Sequence, residues 1–151
     1  LYDTSYTVVR DVERSCYIQG QNSLLPLAEK LTELGPVLFV PRVRNEVAIG
    51  NPDIHVLNDF YNLTDVVSQA SLVVGIGGTL AREAALQGIQ TIYIPMFKSY
   101  VNEYLHDLGF PIAQSDLRHV YSLAVKMFGD GKDVSTLFKS LENPVDTVAE
   151  I

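Results

Sequence analysis

Short, nearly continuous apolar runs alternate along this chain with longer stretches whose apolar positions recur at helical spacing. Thr7–Arg10, Val37–Val40, residues 54–57, residues 72–75 and Thr91–Ile94 are runs of four, rich in β-branched side chains, and they predict five strands buried on both faces. Between them, Leu24, Leu27, Ala28, Leu31 and Leu34 keep a 3.6-residue period, which predicts a helix over 23–34 stopped by Gly35-Pro36. Further helices are predicted over 62–70, over Thr79–Leu86 with Gly88 as its stop, and over 101–108 with Gly109 as its stop. The last third of the chain predicts helices over 116–128, 134–141 and 145–150. Strands alternating with helices, none of them amphipathic by period two, define an α/β class: a Rossmann-like three-layer domain with a parallel, doubly wound sheet.

Composition narrows the possibilities without changing that picture. With 151 residues, 47% hydrophobic and 19% charged, the chain has material for one ordinary domain with a real core. Its organisation is expected to be a linker remnant over 1–6, the Rossmann-like domain over 7–129, and a helical extension of the same domain over 130–151. The net charge of −7 argues against nucleic acid as a partner, which needs a basic face. No apolar run approaches the ~18 residues of a membrane span. Cys16 is the one cysteine, so there is no disulfide framework, and a cytoplasmic location is expected. The sequon Asn62-Leu63-Thr64 reads as a cap for the helix that follows it. A first residue that is not methionine, with no charged or apolar leader, suggests a piece of something larger.

The chemistry concentrates where the fourth strand runs into Gly75-Ile76-Gly77-Gly78-Thr79-Leu80-Ala81-Arg82-Glu83. Strand, glycine turn and helix start in series offer bare backbone and the positive end of a helix dipole, a site for a phosphate or diphosphate. The third glycine of the dinucleotide fingerprint is replaced by Leu80, and no lysine follows the glycines, which sets aside nicotinamide cofactors and P-loop nucleotides. Thr79 is placed to cap the helix or to donate to a phosphate oxygen. Glu83, one turn in, is placed to reach back toward the mouth and accept from ribose hydroxyls; on the residues alone, a small gain from the helix dipole is the favoured explanation. In the usual doubly wound order the first and fourth strands are neighbours, so Arg10 and Gly77-Gly78 should face one crevice. The histidines His55, His106 and His119 have no metal spacing, and no metal site or cofactor is expected.

The run Gly77 to Gly88, with its G-G-T-x-x-R-E-A-A-x-x-G wording, followed by Thr91 to Pro95, resembles the C-terminal half of GT-B type glycosyltransferases. It is similar to UDP-N-acetylglucosamine 2-epimerases, to the lipid-linked N-acetylglucosaminyltransferase of peptidoglycan synthesis, and to a prokaryotic family of unknown function related to both. Arg10 and the segment Glu103-Tyr104-Leu105-x-x-x-Gly109 fit that last family too. The resemblance implies a UDP-sugar or related nucleotide as ligand. Gly77, Gly78 and Thr79 would then meet the diphosphate and Glu83 the ribose. Main chain near Asn58, Phe60 and Tyr61 would contact the base. It also implies a partner, an N-terminal Rossmann-like domain that carries the acceptor site and the catalytic base. Where true 2-epimerases have a histidine before the first-strand arginine, this chain has Val9, which argues against epimerase chemistry.

Three readings of function stay open on the residues. One is the donor-binding half of a glycosyltransferase-like enzyme, not catalytic on its own. The second is a stand-alone binding or regulatory module for a nucleotide or phosphorylated sugar. The third is a small doubly wound enzyme acting on a phosphorylated metabolite through the same anion nest.

Overall fold

The computed structural model describes residues 5–11, 24–41, 50–57, 62–76, 78–129, 131–141 and 144–149. Its strands are β1 (Thr7–Arg10), β2 (Val37–Val40), β3 (Ile54–Val56), β4 (Leu72–Ile76), β5 (Thr91–Ile94) and β6 (Ile112–Gln114). They form a single parallel sheet in the order β3-β2-β1-β4-β5-β6. The helices are α1 (Leu25–Leu31), α2 (Leu63–Ser68), α3 (Thr79–Leu86), α4 (Tyr100–Leu108), α5 (Val120–Met127) and α6 (Pro144–Ala149), with a 3₁₀ turn at Leu137–Ser140. This is the Rossmann-like α/β fold that the pattern of apolar runs predicted.

Successive strand residues serve opposite faces of the sheet, as the pleat requires. Val9, Leu72, Val74 and Ile92 pack with Leu27, Ala28 and Leu31 of α1 and Val120 and Ala124 of α5. Val8 and Val73 point the other way, to Val67 of α2 and Ala84 of α3. Tyr93 does the same further along, packing with Ala81 and Ala85 of α3 and Leu105 of α4. Thus α1 and α5 cover one face, and α2, α3 and α4 the other. The face of α3 turned to the sheet is all alanine, which lets its backbone lie close to the strands.

Several boundaries differ from the sequence reading, each for a local reason. The sixth strand, Ile112-Ala113-Gln114, holds one β-branched residue and ends in a polar one, so it leaves no apolar run. The first helix is shorter at both ends than 23–34; beyond Leu31 the chain continues in i→i−3 hydrogen bonds, Glu33 to Lys30 and Leu34 to Leu31, before Gly35. The expected helix over 134–141 is the short 3₁₀ turn. Asn62 does cap α2, its side chain accepting from the Thr64 N–H at 3.1 Å.

Residues 131–141 are tied to the ends of two helices. Gly88, with φ +83°, closes α3, and its carbonyl accepts from the Lys132 N–H at 2.7 Å. Gly109, with φ +101°, closes α4, and its carbonyl accepts from Lys132 Nζ at 2.6 Å. A Cβ on Gly88 would lie 2.0 Å from the Lys132 carbonyl oxygen, whereas one on Gly109 would meet nothing nearer than 3.6 Å. Both positions carry the left-handed penalty for a non-glycine residue, and Gly88 adds a backbone collision. Gly109→Ala is therefore expected to cost about 1 kcal/mol and Gly88→Ala about 3 kcal/mol in urea unfolding. Equal losses would show that the 131–141 segment does not press on Gly88.

Candidate functional site

Doubly wound sheets bind ligands at the carboxyl edge where the winding reverses, here between β1 and β4. Arg10, the last residue of β1, pairs with Gly75 of β4 and is half-buried. Gly75 also pairs with Tyr93 of β5, so it lies inside the strand, as the run 72–75 predicts, and the strand continues one residue further to Ile76. A Cβ there would sit 3.4 Å from Arg10 Cβ, at packing distance. Gly77 falls outside the described residues, as do Asn58, Phe60 and Tyr61.

Gly78, not Thr79, is the N-cap residue of α3, and no side chain caps this helix. Thr79 is the first helical residue and is exposed. The first intrahelical bond runs from the Arg82 N–H to the Gly78 carbonyl at 2.9 Å, leaving the N–H groups of Thr79, Leu80 and Ala81 without an acceptor within the helix. Glu83 is exposed in the second turn.

The side chain that does lean back over the glycine turn is Arg82. Residues four apart share a helix face, and side chains tilt toward the N-terminus, so position 82 overhangs position 78. A Cβ built on Gly78 would fall 2.1 Å from Arg82 Nη2 and 2.8 Å from its Cζ. The space above Gly78 thus holds a guanidinium. Glu83 is one further residue round, about 100° away on the helical wheel. The tilt that pointed to Glu83 in the sequence applies with better geometry to its neighbour.

Arg82 is held in that position from α4. Its Nε donates to Asn102 Oδ1 at 2.8 Å, across two helices. Asn102 is 1% exposed, and its Nδ2 has no hydrogen-bond partner among the described residues. Its own N–H is capped by Ser99 Oγ at 3.3 Å. Beneath it lies Tyr93, whose hydroxyl donates to Gln114 Oε1 at 3.2 Å. Burial pushes the Tyr93 phenol above its ordinary pKa, the negative charge of Glu103 adds to the rise, and the nearby Asn102 amide, outside hydrogen-bond geometry, offsets part of it. The phenol is therefore neutral at physiological pH. Gly78, Arg82, Tyr93, Asn102 and the loop Pro95 to Ser99 line a cavity of about 240 Å³.

Arg82 and Asn102 were not singled out in the sequence. Both stand next to residues that were: Arg82 precedes Glu83 in the G-G-T-x-x-R-E wording, and Asn102 precedes Glu103-Tyr104-Leu105. Counting four residues on from Gly78 would have found the first. The second is visible only once α4 is folded against α3. Among the histidines, His106 Nδ1 lies 2.6 Å from the Ile112 carbonyl and His119 Nδ1 lies 2.7 Å from Asp116 Oδ1, both structural contacts. Among the described residues, no group of three or more His, Cys, Asp or Glu could hold a metal ion. No described helix is long and apolar enough to cross a membrane.

The fold, with its glycine turn at the β1/β4 edge, is that of a Rossmann-like domain as found in GT-B glycosyltransferases. The chain belongs to the family described as "Protein of unknown function (DUF354)", whose model matches residues 2–151. Its fold is similar to that of the glycosyltransferase SnogD from Streptomyces nogalater, at TM-score 0.61 and 14% identity over 99% of this chain and 43% of that one. The glycotransferase of kitacinnamycin is similar at TM-score 0.55 and 18% identity, over 83% of this chain and 35% of that one. The forosaminyltransferase SpnP is similar at TM-score 0.50 and 19% identity, over 75% and 30%. This chain thus spans less than half the length of each. No curated protein matches it.

The unpartnered amide gives the site a thermodynamic signature. A buried donor without an acceptor costs stability, and an apolar residue of similar volume removes that cost together with one hydrogen bond. Asn102→Leu is expected to unfold within ~1 kcal/mol of the parent chain in urea. A loss beyond ~3 kcal/mol would mean that the amide is fully satisfied in solution.

Proposed function

We propose that this domain binds the nucleotide-sugar donor, a UDP-sugar, of a glycosyltransferase-like enzyme. The observation that carries the reading is the glycine turn feeding α3 at the carboxyl edge beside Arg10, in a chain whose fold is that of glycosyltransferases. In this proposal, the free N–H groups at the start of α3, together with Gly77, Gly78, Thr79 and Arg10, hold the diphosphate. Glu83 accepts from the ribose hydroxyls. The segment containing Asn58, Phe60 and Tyr61 contacts the base.

The proposal includes a division of labour. Transfer needs an acceptor and a base held near the anomeric carbon in a cleft that excludes water. Those groups would come from an N-terminal Rossmann-like domain, with this domain at 7–129, extended by 130–151, binding the donor in the cytoplasm and not turning it over alone. Affinity of one half-site for UDP should be modest, roughly micromolar to millimolar.

Calorimetry with UDP tests the reading. Gly78→Val should fold normally, because the first atoms it meets are the movable end of Arg82, and should lose UDP binding by at least about tenfold through crowding of the phosphate site. Unchanged affinity in that variant would reduce the loop to a turn. For the ribose, Glu83→Gln should weaken UDP by ~1–2 kcal/mol, and a 2′,3′-dideoxy analogue should suffer no further loss in that variant. If the dideoxy compound binds the parent chain as tightly as UDP does, Glu83 has no part in recognition.

A further inference from the structure

We infer that the cavity between α3, β5 and α4 is a subsite for an anionic sugar, so that the donor is a nucleoside diphosphate linked to a sugar acid. The inference rests on the donor-binding reading above and adds the class of sugar. Strand order gives the direction. With the diphosphate at the β1/β4 edge and the base toward the segment that follows β3, the far end of the ligand extends over β5. There it meets the loop Pro95 to Ser99 and the 240 Å³ cavity.

The charge of that cavity is one-sided. Arg82 contributes a guanidinium whose Nε is taken by Asn102 Oδ1, which fixes the plane of the group and leaves its two terminal amino groups as donors. Asn102 Oδ1 being engaged, what its amide has left is Nδ2, a donor 1% exposed and without a partner. Lys98 adds a second cation, held 4.8 Å from the Tyr100 ring centroid. No Asp or Glu lines the cavity; Glu103 acts on Tyr93 from outside it. A neutral sugar could be met by the Tyr93 and Ser99 hydroxyls, which also line the cavity, but would leave two cations without a counter-charge. A carboxylate accepts only, and a guanidinium with fixed orientation is its best-matched partner. Phe97, 72% exposed at the rim, supplies an apolar face for the sugar ring.

An anion at Arg82 could instead be the diphosphate itself, and the test separates the two sources. UDP-glucose and UDP-glucuronate differ only in a C6 hydroxymethyl against a carboxylate, and UDP-galactose and UDP-galacturonate differ likewise. Calorimetry on the chain should show at least one acid bound about tenfold more tightly than its neutral partner, the gain of one charge-assisted bond. In Arg82→Gln that ratio should fall to about one, and Lys98→Gln gives an independent reduction should the arginine variant fold poorly. Ratios at or below one for both pairs in the parent chain overturn the inference while UDP binding still stands. A parent-chain ratio of one together with an equal loss of UDP, neutral and acidic donors in Arg82→Gln assigns the arginine to the diphosphate. Failure of UDP and all four donors to bind overturns the donor-binding reading first.

Discussion

The parallel pairing of β1 with β4, Thr7 through Arg10 against Leu72 through Gly75, is the constraint from which the site follows. It reverses the direction in which the sheet is wound, so that the connections after β1 and after β4 leave the sheet on opposite faces. The carboxyl edge opens at that point. β1 ends at Arg10 opposite Gly75, β4 runs one residue further to Ile76, and the chain then enters α3 with Gly78 at its cap. Small side chains continue the same logic into the helix. Ala81, Ala84 and Ala85 seat α3 closely on β4 and β5, bringing its N-terminal N–H groups to the sheet edge.

Polar order at the edge is bought with an unsatisfied group. Asn102 is buried on α4, spends its oxygen on Arg82 and leaves its Nδ2 without an acceptor. Folding alone gives no reason to keep such an atom, since an apolar side chain would pack there at no polar cost. The arrangement fixes a guanidinium in one plane over a glycine that has no side chain to displace it. A flexible arginine would lose rotamer freedom on binding; one already tethered at Nε has given most of it up beforehand. Preorganisation of this kind is characteristic of recognition sites, where stability is given up locally.

Much of the fold was legible because each element declared itself twice, by its apolar run and by its stop. Gly88 and Gly109 marked helix ends that the structure confirms with positive φ, and five of the six strands were visible as β-branched runs. The sixth was not, because Ile112-Ala113-Gln114 holds a single β-branched residue and ends in a polar one. The site was legible only in part, and for a different reason. Glycines and helix starts are local features, so the turn at Gly78 could be read directly. The pairing of Arg82 with Asn102 joins residues twenty apart on two helices, and nothing in the intervening sequence encodes it. Glu83 carries the acceptor chemistry a ribose needs, while the 3.6-residue period gives its neighbour Arg82 the better reach over Gly78.

An acidic chain with the proposed anion site is not a contradiction, because the two properties act over different distances. The charge of −7 is a sum over the whole chain, and at physiological ionic strength its field decays over a Debye length of about 8 Å. The guanidinium of Arg82 and the dipole of α3 act at contact, in a cavity where water is partly excluded and each interaction is correspondingly stronger. Overall repulsion slows the approach of a charged ligand and discourages polyanions, which must touch many points of the surface at once. It leaves almost untouched a small molecule whose few negative groups end within hydrogen-bonding distance of fixed donors. In the proposed donor site, an acidic chain around a cationic notch would therefore favour a compact, multiply charged metabolite over a nucleic acid.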